Sequence, residues 1–462
     1  MNIQKNQEFE VEIIDNGYEG EGIAKIDNFT IFIKGAIKGE KCKIVIVKVN
    51  KSFAFGKLLE VLKSSKYRVN ADCTTYKRCG GCSLRHIKYE ETLKIKKDMV
   101  QNLVNKSLKN RITVNDVIGM GNPYNYRNKL QYPVGRDKNG MPVMGVFANR
   151  THEIIPVESC LIQNKEAEKV AKEIFKFIKQ NNISIYDEES RSGAIRHIIV
   201  KIGVKTNEIM CIIVSNDENF SMEKELVKDI TSKFPNIKTI IKNVNNKNTN
   251  VILGDKDEVL YGNGFICDKL GEYTFKISAK SFYQTNPTQT EILYNKAIEF
   301  AKLDKKDVLC DLYCGIGTIG IFASNKVKQV YGIEIVEEAV EAAKENAKLN
   351  NVSNIEFVAG DVEKAFKELV ERQHVEPTAI IVDPPRRGLD ETTINKILDL
   401  KVTRLVYVSC NPATMVRDLK MLEEKYDVKE IQPVDMFPYT SHVECVAVME
   451  LKGIVDTGIK VS

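Results

Sequence analysis

The chain has 462 residues, 43% of them hydrophobic, which is enough for two to four domains with sizeable cores. No apolar run approaches the ~20 residues that span a bilayer and no signal-peptide pattern is present, so we expect a cytoplasmic protein without a membrane partner. The net charge of +5 is uneven, with a balance of +9 over residues 1–111 and −4 over the rest, which favours a polyanion bound by the first part and chemistry in the second. A lysine-rich chain with many solvated faces would give the same balance.

The first predicted unit, residues 1–62, consists of short segments of alternating polarity separated by glycines. This pattern predicts a small antiparallel β-barrel. Near its end, lysines alternate with aromatic residues (Lys48, Lys51, Phe53 and Phe55), as in proteins that bind single-stranded nucleic acid. A small β-domain with ordinary surface lysines would contain the same residues, and the pattern leaves both interpretations open.

The second predicted unit, residues 63–270, begins with three closely spaced cysteines. Cys73, Cys79 and Cys82 form a C-x₅-C-x₂-C pattern that ends in Cys-Gly-Gly-Cys, a tight turn in which two thiolates converge. Cys160, in a distant loop, is the expected fourth ligand. Four thiolates in a compartment where disulfides are rare predict a metal site, and they suit Zn²⁺ or an iron–sulfur cluster equally. A reduced cysteine-rich loop that binds no metal is the alternative.

The remaining predicted elements divide into two types. A helix is expected from about Tyr89 to Leu108, and the rest of the second unit mixes strands and helices in a central α+β domain. Over residues 271–462 strand and helix patterns alternate regularly, which predicts a largely parallel, doubly wound sheet with ligands at the carboxyl ends of its strands. The expected fold class is therefore α/β, with a Rossmann-like C-terminal sheet, a small N-terminal β-barrel and a central α+β domain.

A glycine-rich turn between a strand and a helix marks a cofactor site. The turn from Gly315 to Gly320 has the spacing G-x-G-x-x-G, which would also admit a nicotinamide dinucleotide with Glu334 on its ribose. However, Asp311 precedes this turn, and Asp361 and Asp383 end two later strands. Carboxylates at several successive strand ends suit S-adenosylmethionine, which has ribose hydroxyls, an adenine amine and a cationic end but no pyrophosphate. We therefore expect the methyl donor rather than the dinucleotide.

A thiol follows the predicted strand "LVYVS" directly, where an α/β enzyme places its reactive groups. Carbon 5 of a pyrimidine is a poor nucleophile, but addition of the Cys410 thiolate to carbon 6 creates an enolate whose carbon 5 can accept a methyl group. The adduct must then lose the carbon-5 proton, so a general base is required, and Glu444 lies on the last predicted strand. Asp383 would bind the ring's polar edge or orient the donor.

Together these motifs resemble the RNA (uracil-5-)-methyltransferase family, and its branch acting on 23S ribosomal RNA in particular, over nearly the whole chain. The resemblance implies that the N-terminal barrel is an RNA-binding TRAM domain. Three short motifs carry further implied roles: "FYQTNP" (residues 282–287), "SCNP" (409–412) and "HVEC" (442–445). The residues implied as donor contacts are Gln284, Tyr313, Glu334 and Asp383. Cys410 is implied as nucleophile and Glu444 as base.

The resemblance also bears on metal and substrate. The pattern of Cys73, Cys79, Cys82 and Cys160 is similar to the ligands of the [4Fe–4S] cluster in the ribosomal branch. The tRNA-specific branch generally lacks both barrel and cluster, so the expected partner is 23S ribosomal RNA, with no obligate protein partner. The alternatives are a tRNA uridine C5-methyltransferase and an inactive RNA-binding iron–sulfur protein. Candidate RNA contacts are Arg127, Asn128, Lys129, Arg196 and Arg386.

Overall fold

The structure is a computed structural model that describes residues 3–110, 112–149 and 151–453. Residues 1–2 of the first predicted unit and 454–462 of the last lie outside the described residues. The N-terminal strands are β1 (Glu8–Glu12), β2 (Asp15–Asn16), β3 (Gly22–Ile26), β4 (Phe29–Lys34), β5 (Lys41–Val49) and β6 (Phe53–Lys63). They form one sheet in the order β1-β5-β6-β4-β3-β2.

This N-terminal sheet bends around its own apolar core. Alternate residues such as Ile31, Ile33 and Ile44 are fully buried in it, because successive side chains of a strand point to opposite faces. Just beyond β1, the N–H of Ile14 donates to the carbonyl of Ile23 on β3 at 2.8 Å, which draws distant strands together. The prediction that all pairs are antiparallel is wrong for β4 and β6, which run parallel, because the β5–β6 hairpin returns the chain in the direction of β4.

The first long helix packs away from the unit in which the sequence placed it. Helix α1 (Tyr89–Ser107) buries Val100 and Val104 in the core of the C-terminal sheet. The Nζ of Lys96 also donates to Oδ1 of Asp435 at 2.5 Å, and both side chains are fully buried. The segment after α1 then pairs Ile118 with Val434 at the edge of that sheet.

The central domain is a seven-stranded sheet with two helices on one face. Its elements are β7 (Lys129–Arg136), β8 (Pro142–Phe147), β9 (Ile154–Pro156), α2 (Lys165–Gln180), β10 (Ile195–Ile202), β11 (Ile209–Ser215), α3 (Glu223–Lys233), β12 (Ile237–Val244) and β13 (Lys256–Gly262). The strand order is β13-β12-β11-β10-β7-β8-β9. Helices α2 and α3 cover one face. The other face meets a hairpin of β14 (Phe265–Leu270) and β15 (Tyr273–Ser278).

The C-terminal sheet confirms the predicted doubly wound architecture. Its elements are α4 (Pro287–Ala301), β16 (Val308–Leu312), α5 (Thr318–Ala323), a 3₁₀ turn (Ser324–Lys326), β17 (Gln329–Glu334), α6 (Glu337–Leu349), β18 (Ile355–Ala359), α7 (Val362–Glu371), β19 (Ala379–Val382), α8 (Glu391–Leu400), β20 (Arg404–Ser409), α9 (Pro412–Leu422), β21 (Tyr426–Val434) and β22 (Glu444–Leu451). The order is β18-β17-β16-β19-β20-β22-β21, with the first five strands parallel and β22 antiparallel to both neighbours.

Two further observations complete the architecture. The boundaries predicted at residues 62 and 270 stay predictions; β6 runs one residue past the first, and the β14–β15 hairpin crosses the second. Over the described part of the chain, no helix combines the length and apolarity needed to cross a membrane.

Candidate active site

A cleft of about 810 Å³ opens at the carboxyl ends of β16, β17, β19 and β20. It lies where the strand order reverses on either side of β16, the usual ligand position in an open α/β sheet. The six residues predicted for donor binding and catalysis all line this cleft, although they come from widely separated parts of the chain. They are Gln284, Tyr313, Glu334, Asp383, Cys410 and Glu444. Their individual roles stay predictions.

The turn between β16 and α5 is built on left-handed backbone. Tyr313, Gly315 and Gly317 have φ angles of 67°, 54° and 79°. A Cβ on Gly317 would lie 2.6 Å from Cζ of Phe357, so this position excludes a larger residue. A Cβ on Gly315 would meet no atom within 4 Å, because this residue faces the open cleft. The turn therefore presents bare backbone to a ligand.

The wall beside this turn combines carboxylates with apolar surface. Glu334, at the end of β17, accepts the N–H of Gly315 through Oε2 at 3.1 Å and the N–H of Val336 through Oε1 at 3.0 Å. These bonds fix the carboxylate while leaving lone pairs for ribose hydroxyls. Ile335, 61% exposed, and Asp361 line the same wall. An adenine ring and its amine fit these neighbours, so the residues present suit S-adenosylmethionine.

Asp311, part of the sequence signal for the cofactor, lies beneath the turn and does not line the cleft. Its side chain is fully buried, and Oδ2 accepts the N–H of Gly320 at 2.8 Å, which ties α5 to β16. Among the described residues, Oδ1 has no hydrogen-bond partner. Burial, together with the nearby carboxyls of Asp383 and Glu334, raises the pKa of Asp311 to about 8.

The thiol and the expected base face each other at the far end of the cleft. Strands β20 and β22 pair Ser409 with Cys445 in antiparallel register. Cys410 directly follows the last residue of β20, and Glu444 is the first residue of β22, so the two residues lie at the same end of this strand pair, and both line the cleft. Glu444 is only 3% exposed, whereas Cys410 is half-buried. Cys445 points the other way, into the apolar core.

Burial raises the pKa values of the acidic groups in the cleft. Burial, reinforced by Glu444 and Asp383, raises the pKa of the Cys410 thiol to about 11. Burial and Asp383 raise the pKa of Glu444 to about 8, and burial raises the pKa of Asp383 to about 7. The positive charge of Arg386 opposes the first two shifts. A carboxyl with a pKa near the working pH is suited to proton transfer.

The loop that carries Gln284 is held from both sides. The side-chain amide of Asn128 donates to the carbonyl of Gln284 at 3.0 Å, and its backbone N–H donates to the carbonyl of Thr285 at 2.9 Å. Asn286, fully buried, caps α4, and Pro287 follows it at the first helical position. These contacts fix the loop in place. Phe282, at its start, is 72% exposed and lines the mouth of the cleft.

A contact that sequence reasoning missed joins the N-terminal sheet to the loop that follows β20 and contains Cys410. The hydroxyl of Tyr18 donates to Oδ1 of Asn411 at 2.9 Å, across 393 residues of sequence. The Asn411 amide also donates to the carbonyl of Arg386 at 3.1 Å, and its Oδ1 accepts the N–H of Ala413 at the start of α9. No local pattern marks Tyr18, so only the tertiary structure reveals this contact with the residue next to Cys410.

The four predicted metal ligands come together without forming a complete ligand set. Cys73, Cys79, Cys82 and Cys160 are all half-buried free thiols. Burial raises the pKa of Cys82 to about 12, with contributions from the other three thiols, so the four are neighbours. Over the described ranges, no group of three or more Cys, His, Asp or Glu side chains has an arrangement that could hold a metal ion. The thiols therefore share a region but do not converge on one point.

Some of the predicted RNA contacts line the cleft or the cavity beside it, whereas others form contacts within the protein. The prediction is wrong for Arg196, which is 8% exposed, donates to the carbonyl of Asn245 at 2.6 Å and stacks 4.3 Å from the ring centre of Tyr186. Asn128 is likewise committed to the loop described above. Arg127 and Arg386 line the cleft. Lys129 lines a smaller cavity beside it.

Comparison with known proteins places the chain among RNA methyltransferases. The tRNA (uracil-5-)-methyltransferase family matches residues 88–452, and the TRAM domain matches residues 4–59. Proteins of Bacillus cereus and Clostridium acetobutylicum, both described as uncharacterized RNA methyltransferases, are 45% and 46% identical over 97% of this chain and 97% and 98% of their own. A solved tRNA (uracil-54, C5)-methyltransferase of Pyrococcus abyssi, in complex with S-adenosyl-L-homocysteine, is 26% identical with a TM-score of 0.77. That alignment covers 96% of this chain and 100% of the other.

Fold, cleft and comparisons define an S-adenosylmethionine-dependent RNA methyltransferase with an N-terminal TRAM domain. Because the family match spans most of the sequence and the relatives align end to end, the chain belongs to the tRNA (uracil-5-)-methyltransferase family. The predictions of the uracil-5 family, the TRAM domain and the methyl donor are confirmed. The ribosomal substrate and the iron–sulfur cluster stay predictions.

Proposed function

We propose that the protein methylates carbon 5 of a uridine in 23S ribosomal RNA, with Cys410 as nucleophile and Glu444 as general base. The observation that carries this proposal is the opposed position of Cys410 and Glu444 at one end of the cleft that also contains the glycine turn. Addition to ring carbon 6 and proton removal from carbon 5 occur on adjacent atoms. They therefore need a thiol and a base side by side.

In the proposed reaction, addition of the thiol to the ring comes first and removal of the carbon-5 proton comes after methyl transfer. The Cys410 thiol first loses its proton to solvent; the resulting thiolate forms a bond to carbon 6, and the electrons of the carbon 5–carbon 6 double bond move into an enolate. When bound, S-adenosylmethionine supplies the methyl group to carbon 5. Glu444 then removes the carbon-5 proton, the double bond reforms, and the thiolate leaves. Asp383 binds the polar edge of the ring or orients the donor, and the stiff Asp-Pro-Pro segment keeps it in position.

The donor site is assigned to the first half of the cleft. Tyr313 and the glycine turn would hold the donor, Glu334 would accept hydrogen bonds from its ribose hydroxyls, and Gln284 would bind it from its own loop. Bare backbone at Gly315 and the fixed Glu334 carboxylate support this assignment. The second half, with Cys410 and Glu444, is left for the target base, which must be flipped out of its RNA to reach them.

The choice of 23S ribosomal RNA depends on the resemblance of the cysteine pattern to the ribosomal branch. The N-terminal sheet does not separate the two substrates, because the Pyrococcus abyssi tRNA enzyme aligns with 96% of this chain, too much to leave out all of residues 1–62. A tRNA uridine is therefore the second candidate. An inactive RNA-binding protein is disfavoured by the complete pairing of Cys410 with Glu444.

We also propose that Cys73, Cys79, Cys82 and Cys160 hold a [4Fe–4S] cluster. Four neighbouring soft thiols fit this group, although their present arrangement is not a finished ligand set. Gly80 and Gly81, between two of these cysteines, line the active-site cleft. This position favours a structural or RNA-orienting role for the cluster.

The experiment for the substrate is methyl transfer from labelled S-adenosylmethionine to unmodified 23S ribosomal RNA and to bulk tRNA, with anaerobically purified protein. We expect 5-methyluridine in a 23S fragment, mapped by nuclease digestion and mass spectrometry. Label in tRNA alone would establish the second candidate, and label in neither would refute the enzymatic proposal.

The experiment for the cluster is the measurement of iron and acid-labile sulfide in the same preparation. We expect about four of each per chain, and their loss in Cys82→Ser. Cys267→Ser, which changes a half-buried thiol on β14, is the matched control. Protein that contains neither iron nor sulfide after anaerobic purification would contradict the cluster.

A further inference from the structure

A second, smaller cavity lies beside the active-site cleft. It has a volume of about 80 Å³, several times the ~10–15 Å³ that one water needs, and it separates the central sheet from the β14–β15 hairpin. Its polar lining consists of Asn128, Lys129, Lys201, Ser281 and Thr285. Phe282 lines both this cavity and the cleft, so the two are neighbours. A ligand in the small cavity would therefore lie next to the target base.

Two lysines of the central sheet lie side by side in the lining of this cavity. Lys129 on β7 and Lys201 on β10 are directly opposed in antiparallel register. Opposed like charges destabilise a sheet, and burial adds to the cost, since Lys201 is only 7% exposed. Among the described residues, neither lysine forms an ion pair, whereas the two other buried lysines in the described ranges, Lys96 and Lys242, both do.

The two lysines differ in the hydrogen bonds that they form within the protein. The ammonium of Lys201 donates to the carbonyls of Ser278 and Ser281 at 3.0 and 3.1 Å, so it anchors that loop and keeps one N–H to spare. Within the described ranges, Lys129 makes no side-chain hydrogen bond at all. A purely structural explanation therefore accounts for Lys201 but leaves Lys129 without a reason to be half-buried beside another cation.

Further unpaired polar groups extend from the lysine pair toward the cleft. The hydroxyl of Thr285 is buried and has no partner among the described residues, and the same holds for Nε of Arg127. Burial and the charge of Arg127 lower the pKa of Lys129, and burial with the charge of Lys129 lowers the pKa of Lys201 to about 7. An anion in the cavity would relieve this mutual repulsion and favour the charged lysines.

We propose that Lys129 and Lys201 hold a backbone phosphate of the substrate RNA next to the target nucleotide. This proposal depends on the proposed function in one respect, namely that the ligand is RNA. The phosphate fits because it offers several acceptor oxygens to the two ammonium groups and to the Thr285 hydroxyl, in a cavity that shares Phe282 and Thr285 with the cleft. Phe282 would then stand between this phosphate and the nucleotide inside the cleft.

The test compares Lys129→Gln with Lys228→Gln in the full-length protein. Lys228 is an exposed lysine on α3, which covers the opposite face of the central sheet, so both variants lose one positive charge. The dissociation constant for the RNA substrate is measured against salt concentration. Each phosphate contact on a single strand contributes about 0.7 to the slope of log K against log salt. We expect Lys129→Gln to lose about that much slope and about tenfold in affinity, while Lys228→Gln loses neither.

One further variant and a set of modified RNAs test whether the effect comes from a single phosphate. Lys129→Arg keeps the charge and is expected to recover most of the affinity. Oligoribonucleotides that contain the target uridine and a single neutral methylphosphonate linkage are then compared. At one linkage within two nucleotides of the target, the wild type and Lys129→Gln should bind equally, because the contact is already absent.

The outcomes separate this proposal from the proposed function. If Lys129→Gln and Lys228→Gln show the same slope and affinity, or if every methylphosphonate leaves the difference between wild type and Lys129→Gln unchanged, the phosphate site is refuted. If the wild type binds RNA with the expected lysine dependence but methylates neither 23S RNA nor tRNA, the phosphate site stands and the proposed function fails. Unchanged affinity of Lys129→Gln for S-adenosylmethionine shows that the variant is folded.

Discussion

Cys410 and Glu444 stand opposite each other one register step beyond the Ser409–Cys445 pair of β20 and β22. Strand β20 is the last parallel strand and β22 returns antiparallel beside it, so the carboxyl end of one meets the amino end of the other. A thiol and a carboxyl that are 34 positions apart in sequence are thereby brought together at one end of two paired strands. This pair gives the first two predictions.

Replacement of Cys410 by Ala should abolish methyl transfer while RNA binding persists, because the thiol forms the bond to carbon 6 and contributes little to affinity. RNA with 5-fluorouridine at the target should form an adduct with the wild type that survives denaturation, since fluorine cannot leave as a proton does. Transfer of labelled methyl groups and RNA binding under native conditions check the first statement, and gel electrophoresis under denaturing conditions checks the second, with Cys267→Ser as control. Turnover by Cys410→Ala, or an adduct in that variant, would contradict thiol addition by this residue.

Replacement of Glu444 by Gln should slow turnover by about 10²–10⁴-fold and let the methylated adduct accumulate, because addition still occurs but the carbon-5 proton is not removed. The pH dependence carries the same information. The pKa of Glu444 is raised to about 8, so kcat/KM of the wild type should rise with pH up to about pH 8 and less steeply above it. The variant should lack that bend. A bend retained in Glu444→Gln would assign the titration to another group.

Asp311 gives a prediction about stability rather than catalysis. Its pKa is raised to about 8 in the folded protein from an ordinary value of 3.8, so the folded state retains a proton that the unfolded state has lost. Stability should therefore fall as pH rises from about 4 to about 8. Asp311→Asn cannot ionise and keeps an acceptor for the Gly320 N–H. The difference in Tm between the variant and the wild type should therefore grow by a few degrees in favour of the variant as the pH is raised from 6 to 9. Thermal unfolding of both proteins measures this difference. If the Tm of the wild type and that of the variant change with pH in the same way, the raised pKa of Asp311 is contradicted.

Tyr18 tests whether the TRAM domain positions the nucleophile. Tyr18→Phe removes only the hydroxyl that donates to Asn411, the residue after Cys410. We expect the rate of adduct formation with 5-fluorouridine RNA to fall about fivefold, since a hydrogen bond of this kind contributes about 1 kcal/mol, with little change in RNA affinity. Tyr261→Phe, on exposed edge strand β13, is the control. An equal loss in RNA affinity and rate would make Tyr18 a binding contact instead of a positioning residue.

Much of the C-terminal fold follows from local pattern. Buried strands alternate with amphipathic helices there, and parallel strands connected by helices have few topologies. The glycine turn was recognisable because left-handed backbone at Gly315 and Gly317 restricts the residue type. The sequence predicted the fold less well where strands that are not neighbours in the chain pair with each other. The parallel pair of β4 and β6 and the packing of α1 on the C-terminal sheet depend on contacts between distant segments.

The site shows the same division. Side-chain chemistry pointed to Cys410, Glu444, Asp383 and Glu334, because the proposed reaction and the methyl donor require those groups at strand ends. It misjudged Arg196, whose charge looked available in the sequence but is used inside the protein. It named Lys129 as a candidate RNA contact but gave no sign of Tyr18, or of Lys201 opposite Lys129, since neither Tyr18 nor Lys201 lies in a recognisable motif.

Residue type and short-range periodicity were enough to show which reactive groups the protein possesses and which segments become helix or strand. Which of those groups meet depends on the folded structure. Strand register placed Cys410 opposite Glu444 and Lys129 opposite Lys201, and burial set the pKa values of the carboxyls and the thiol in the cleft. Both effects arise from contacts between residues far apart in the chain, and these contacts form only when the sheets close around their cores.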